Sequence, residues 1–170
     1  MRSLALLLVI CVMAACGPSA SGTRGASPTP ISGPCPVTTR PPVALAPPPT
    51  AGTGSNPGLV LSAGPDTFLY GNDALVVLLP NDGTLRPSDP QRGLAGGIKF
   101  PWFRTAHGDL TIATRRLDAP TDPVPADVPT GYGDVGLQVS GLSFASTGCW
   151  QVTGTIAGKT LAFVVNVAGR

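Results

Sequence analysis

His107, in the run His107-Gly108-Asp109, is the chain's one histidine, and its nine acidic residues are all aspartates. General acid–base catalysis draws mostly on His and Glu/Asp pairs held in fixed geometry, so most such schemes lack players here. The serines fall in loop-like stretches without a GxSxG elbow, which leaves no activated nucleophile. Asp118, Asp122, Asp127 and Asp134 offer oxygen ligands of the kind Ca²⁺ prefers, but prolines separate them and no DxDxDG spacing occurs. They read as solvated turn and cap residues. A zinc or copper site at His107 would lack partner ligands. No enzyme, no metal and no cofactor is expected.

Gly131-Tyr132-Gly133-Asp134-Val135-Gly136 matches GxGxxG. The dinucleotide fingerprint needs a strand before it and a helix after it. A Pro-rich loop precedes this one and a strand-like segment follows, so it reads as a glycine loop that pins Tyr132 on the surface. Trp102, Phe103 and Trp150 could form an aromatic platform. The favoured alternative puts Trp150 in a core and at least one of residues 102 and 103 under a loop. Arg104, Arg115 and Arg116 fall on one predicted hairpin, with Arg115 and Arg116 facing opposite ways. Pairing of Arg116 or Arg104 with Asp118 or Asp134 is favoured over an anion site. Trp102, Phe103, Arg104 and Tyr132 remain the candidate interaction surface. A concave pocket gathering Trp102, Tyr132 and an arginine would favour a small ligand, and a flat apolar patch a protein partner.

These residues need elements to hold them, and the C-terminal end supplies the clearest. In residues 149–156, Trp150, Val152 and Ile156 alternate with Gln151, Thr153 and Thr155, the period of a strand with one buried face. Residues 157–159 make a tight turn, after which Leu161, Phe163, Val165 and Val167 form a second apolar face. If this strand runs straight, Cys149 points away from Trp150, so a disulfide from it would clamp something onto the outer face or an edge and not bridge two sheets; a bulge at Gly148 would reverse this. Residues 74–79 (ALVVLL) form a continuous apolar run, expected of a central strand covered on both faces. Residues 98–104 and 110–117 read as a second hairpin, with Pro101 confining its strand to an edge or a bulge. Shorter strands are expected near residues 59–61, 68–70 and 135–139. Residues 84–97 read as a loop. With 22 Gly and 20 Pro, turns dominate, and the whole reads as an all-β, antiparallel β-sandwich.

The N-terminus carries an address. Arg2 precedes twelve apolar residues, 4–15, too few for a membrane span of about 20 but suited to a signal peptide. Met13-Ala14-Ala15-Cys16 resembles the bacterial lipobox. That resemblance implies cleavage before Cys16 and attachment of acyl chains such as palmitate to it. Residues 17–34 are rich in Gly, Pro, Ser and Thr and cannot bury enough apolar surface to order themselves. The expected organisation is residues 1–15 as signal peptide, 16–34 as lipidated cysteine and disordered linker, and 35–170 as one domain. Cys11 leaves with the signal and Cys16 takes lipid, so Cys35 and Cys149 remain. In an oxidising compartment they are expected to pair. The alternatives are two free thiols or, less favoured, a metal pair.

Thr147-Gly148-Cys149-Trp150-Gln151-Val152-Thr153-Gly154 resembles the GCWEVTG strand of a set of functionally uncharacterised bacterial lipoproteins. Cys35 to Thr38, Phe100 to Arg104 and the Gly131-Tyr132-Gly133 loop also match that pattern, over residues 35–167. This chain has Gln151 where those proteins usually have Glu, and Phe103 where a second Trp is common. The resemblance implies an Ig-like sandwich on a lipid anchor, at the extracytoplasmic face of the cell membrane, and no activity. Charged residues are 12% of the chain and its formal charge is +2, which provides no basic stripe for nucleic acid. The expected partners are the membrane, through the N-terminal lipid, and an envelope protein or small ligand. A purely structural envelope protein is the runner-up, and a hydrolase or metal-dependent enzyme the third reading.

Overall fold

Among the described residues, nine strands make two sheets. The computed structural model describes residues 29–42, 44–46, 61–86 and 98–169. Cys16, the signal segment and most of the expected strand at 59–61 lie outside the described residues. The strands are β1 (Thr67–Gly71), β2 (Leu75–Pro80), β3 (Thr84–Leu85), β4 (Ile98–Arg104), β5 (Thr111–Arg116), β6 (Val124–Pro125), β7 (Gly136–Leu142), β8 (Gly148–Ile156) and β9 (Lys159–Val167). The first sheet has order β1-β2-β4-β7 and the second β3-β9-β8-β5-β6. The fold is all-β. It is not purely antiparallel, because β3 pairs in parallel with β9.

The β8–β9 hairpin forms as its alternation requires, with Ile156 opposite Lys159 across a two-residue turn. Ala157 (φ 49°) and Gly158 (φ 74°) both adopt positive φ, the geometry of a type I′ turn, which matches the twist of its strands. Trp150, Val152 and Ile156 are buried on one face, together with Leu161, Phe163, Val165 and Val167 from β9. The apolar run of residues 74–79 gives β2, an interior strand. Leu75, Val77 and Leu79 enter the main core, while Val76 joins a second cluster with Leu61, Leu69 and Phe103 on the opposite side of the sheet.

The two sheets meet through the main core. Phe163 of β9 lies 5.4 Å from the Phe100 ring and 5.8 Å from the Trp102 ring of β4. Trp102 crosses so close to β8 that a Cβ on Gly154 would stand 2.5 Å from its ring. Gly154 is therefore the residue that lets the indole approach the facing strand so closely.

Residues 98–104 and 110–117 do not form the expected hairpin. β4 pairs with β2 and β7, and β5 pairs with β8 and β6. Residues 105–110 instead carry the chain from one sheet to the other, a span of about 10 Å that a tight hairpin turn cannot cover. Pro101 sits in an interior strand, but its β2 ladder ends at Trp102. Thr105 N donates to Ala74 O on the β2 side, so by alternation the missing N–H of Pro101 faces the side that β2 has left.

The exposed edge of β9 is covered piecewise. Thr38 N donates to Val164 O, Asn166 N to Gly83 O and Ala168 N to Leu85 O. Tyr70 OH and Asn72 Nδ2 donate to the carbonyls of Ala162 and Thr160. Unpaired edge groups invite pairing with another chain, and here five separate contacts occupy them. The segment that carries Thr38 is itself fixed by a disulfide between Cys35 and Cys149, with Cα atoms 5.3 Å apart. Cys149 faces outward from the core side of β8, as the alternation predicts, and the bridge clamps an outer strip. Four residues before Cys35, inside the expected linker, Ile31 N donates to Leu117 O. Chain ordering along the domain thus begins ahead of the bridge.

Candidate functional site

Trp102 and Phe103 are both fully buried, and they face opposite ways along β4. Trp102 stands in the main core, where its Nε1–H donates to Ser140 Oγ at 3.0 Å. Phe103 stands in the second cluster, with Leu45, Leu61 and Leu137. Neither ring is presented as a platform. Arg104, two residues after Trp102 on the same inward face, comes to the end of the core. Tyr132 meets it from the loop before β7. These two of the four candidate residues share a cleft of about 310 Å³, whose walls also include Asp109, Leu110, Val128, Pro129 and Gln138.

Arg104 is only 4% exposed. Its Nη2 donates to Gly133 O at 2.6 Å and to Tyr132 O at 3.4 Å. Its Nε has no hydrogen-bond partner among the described residues. Asp134 and Asp109 act on it through their field without forming an ion pair, and burial is the stronger influence, lowering its proton affinity. Asp134 is engaged elsewhere: its Oδ2 lies 3.0 Å from His107 Nδ1, and both side chains are exposed.

Gln138 is the neighbour that sequence reasoning missed. It is 6% exposed and lies opposite Trp102 in the β4–β7 ladder. Its Nε2 donates to Pro129 O at 2.9 Å, which fixes the orientation of the amide and leaves Oε1 without a partner. Arg104 Nε and Gln138 Oε1 are the buried side-chain nitrogen and oxygen atoms that lack partners among the described residues. One is a donor, the other an acceptor, and both residues line the same cleft. Native interiors satisfy nearly all such groups, and an unsatisfied one costs on the order of 1–3 kcal/mol, more if charged. Thr114, Ser140, Trp102 and Trp150 show the usual condition, each making a hydrogen bond from the interior.

The Gly131-Tyr132-Gly133 run is the wall that closes over Arg104. Gly131 (φ 90°) and Gly133 (φ 75°) hold backbone conformations that a side-chain-bearing residue rarely adopts. Strand β7 follows the loop directly, without the helix that a dinucleotide would require.

The other candidates resolve into structural roles. Arg116 Nε donates to Asp118 Oδ1 at 2.5 Å and its Nη1 to Ser146 Oγ at 2.7 Å. Asp118 also accepts from Cys149 N. Arg115 Nη2 donates to Gln151 Oε1. Asp127 makes a backbone bridge to Gly141. Among the described residues no three His, Cys, Asp or Glu side chains converge to hold a metal ion, and no helix is long and apolar enough to cross a membrane. Compared with family models, with curated proteins and with solved structures, the chain shows no match.

Proposed function

We propose that the protein is a lipid-anchored binding module on the extracytoplasmic face of a bacterial cell membrane. In this reading the two sheets are an Ig-like β-sandwich, tethered through acylated Cys16, and the cleft beside Arg104 holds a small ligand. The observation that carries the reading is the pairing of two unsatisfied, buried groups of opposite hydrogen-bonding sense, Arg104 Nε and Gln138 Oε1, on one cleft. The lipobox-like Met13-Ala14-Ala15-Cys16 run supports the anchor, and the Cys35–Cys149 bridge fits an oxidising compartment.

The test has two arms. Expressed in bacteria, the full chain is expected in the membrane fraction and its Cys16→Ala variant in the soluble fraction; a variant that stays membrane-bound would refute the anchor. Native mass spectrometry of the protein purified from envelopes should reveal a small-molecule adduct that an Arg104→Met variant lacks. A bare wild-type mass after incubation with envelope extract would remove the binding role.

A further inference from the structure

The chemistry of the cleft narrows its ligand. A guanidinium offers Nε and Nη2 side by side as a fork that matches the two oxygens of a carboxylate. In Arg104 one prong, Nη2, is occupied by the carbonyls of Gly133 and Tyr132, while the other, Nε, is idle and sealed from solvent. The loop carbonyls thus compete for the nitrogen that one carboxylate oxygen would use. Residues 131–133 form a strap, and lifting it frees the whole fork.

Charge sets the rest. The buried cation faces two aspartates, Asp109 in the cleft wall and Asp134 at the foot of the strap. A ligand with net negative charge would be attracted by one group and repelled by two. No lysine lines the cleft to favour a phosphate. Gln138 Oε1, an acceptor without a donor, asks for an N–H or O–H. A ligand of zero net charge with a carboxylate at one end and a donor cation at the other satisfies every group.

We infer that the cleft binds a small α-amino carboxylate as its zwitterion, with the carboxylate on the Arg104 fork and the ammonium between Gln138 Oε1 and Asp109. This rests on the binding role proposed above. The volume of about 310 Å³ is at the small end of ligand sites, which run from about 300 to 1,000 Å³, and suits a single small amino acid. Binding swaps the strap's carbonyls for the ligand, and the strap's glycines hold positive φ, a backbone conformation that other residues rarely adopt.

Isothermal titration of the full chain in detergent with alanine, both enantiomers, tests this. Alaninamide retains only the ammonium, propionate only the carboxylate, and inorganic phosphate serves as the anion control. Alanine is expected to bind, with alaninamide and propionate each at least tenfold weaker and phosphate unable to compete. Arg104→Lys, which keeps the charge and loses the fork, should weaken alanine at least tenfold. Asp109→Asn, on the exposed rim, should weaken alanine and leave propionate unchanged, at an unaltered melting temperature. Propionate or phosphate binding as tightly as alanine would overturn the inference. A silent alanine titration beside an Arg104-dependent adduct from envelopes would overturn it while leaving the binding role standing. Silence in both experiments would sink both.

Discussion

Arg116 and Arg104 lie at opposite ends of the paired sheets and illustrate two ways to keep a guanidinium. Arg116 sits at the stapled end, beside the disulfide, with a carboxylate and a hydroxyl on its nitrogens. Asp118 raises its proton affinity, and Arg116 in turn holds the Asp118 carboxyl below its usual range. Arg104 sits at the strap end, more deeply buried, with backbone carbonyls for partners, an idle Nε and a lowered proton affinity. The first arrangement is self-contained. The second leaves hydrogen-bonding capacity unused at a cost to stability, as binding sites do.

Removing the staple should have the largest effect. The bridge closes a loop of 114 positions, and Cys35→Ser with Cys149→Ser is expected to cost up to about 4–5 kcal/mol in denaturant unfolding. The loss should fall on stability and spare the cleft, so a drop in affinity at temperatures where the variant is folded would blur the distinction between the two ends. Gly154→Ala comes next. It forces Trp102 off β8, and overpacking of this kind costs about 1–3 kcal/mol. A melting temperature equal to wild type would mean that the sheets do not pack at that spacing.

The smallest effect is on pH dependence. The Asp118 carboxyl titrates below its unfolded value because Arg116 bonds it, with Cys149 N adding to the effect. Its stabilisation is present above about pH 4, the unfolded aspartate value, and is lost as pH falls through the depressed folded value. Asp118→Asn should therefore destabilise the protein by about 1 kcal/mol near neutrality and flatten the acid limb of its stability profile. An unchanged acid limb would show that the stapled end is not held by this pair.

The stapled end was legible in the sequence, whereas the strap end was only half so. The alternation around Trp150 is local, and for a straight strand it sets Cys149 on the face opposite Trp150. Of the pairings the sequence leaves open, Arg116 or Arg104 with Asp118 or Asp134, the one that forms joins two residues near each other in the chain. By contrast, residues 136–142 mislead. Leu137 and Val139 are apolar, yet Gly136, Gln138, Ser140 and Leu142 are the buried set. The reason is that the first sheet has apolar cover on both faces, Leu137 belonging to the second cluster with Phe103. Where both faces are apolar, a period of two no longer tells inside from outside. Arg104 and Tyr132 stand among the candidates the sequence offers, but a hairpin of residues 98–104 and 110–117 sets Arg104 beside Arg115 and Arg116, whereas in the fold it shares the face of Trp102 and a cleft with Gln138. The switch of sheets between β4 and β5, and the parallel β3–β9 pair, depend on long-range packing that carries no local signature.

The central claim is that Arg104 is kept for a ligand and not for the fold. Comparing the unfolding free energies of Arg104→Met and Arg116→Met tests it most directly. Arg104→Met is expected to be as stable as the wild type or more so by about 1 kcal/mol, since an apolar side chain there ends the burial of a poorly satisfied charge, while Arg116→Met loses about 1 kcal/mol. A larger loss in Arg104→Met than in Arg116→Met would contradict it and make Arg104 a structural residue.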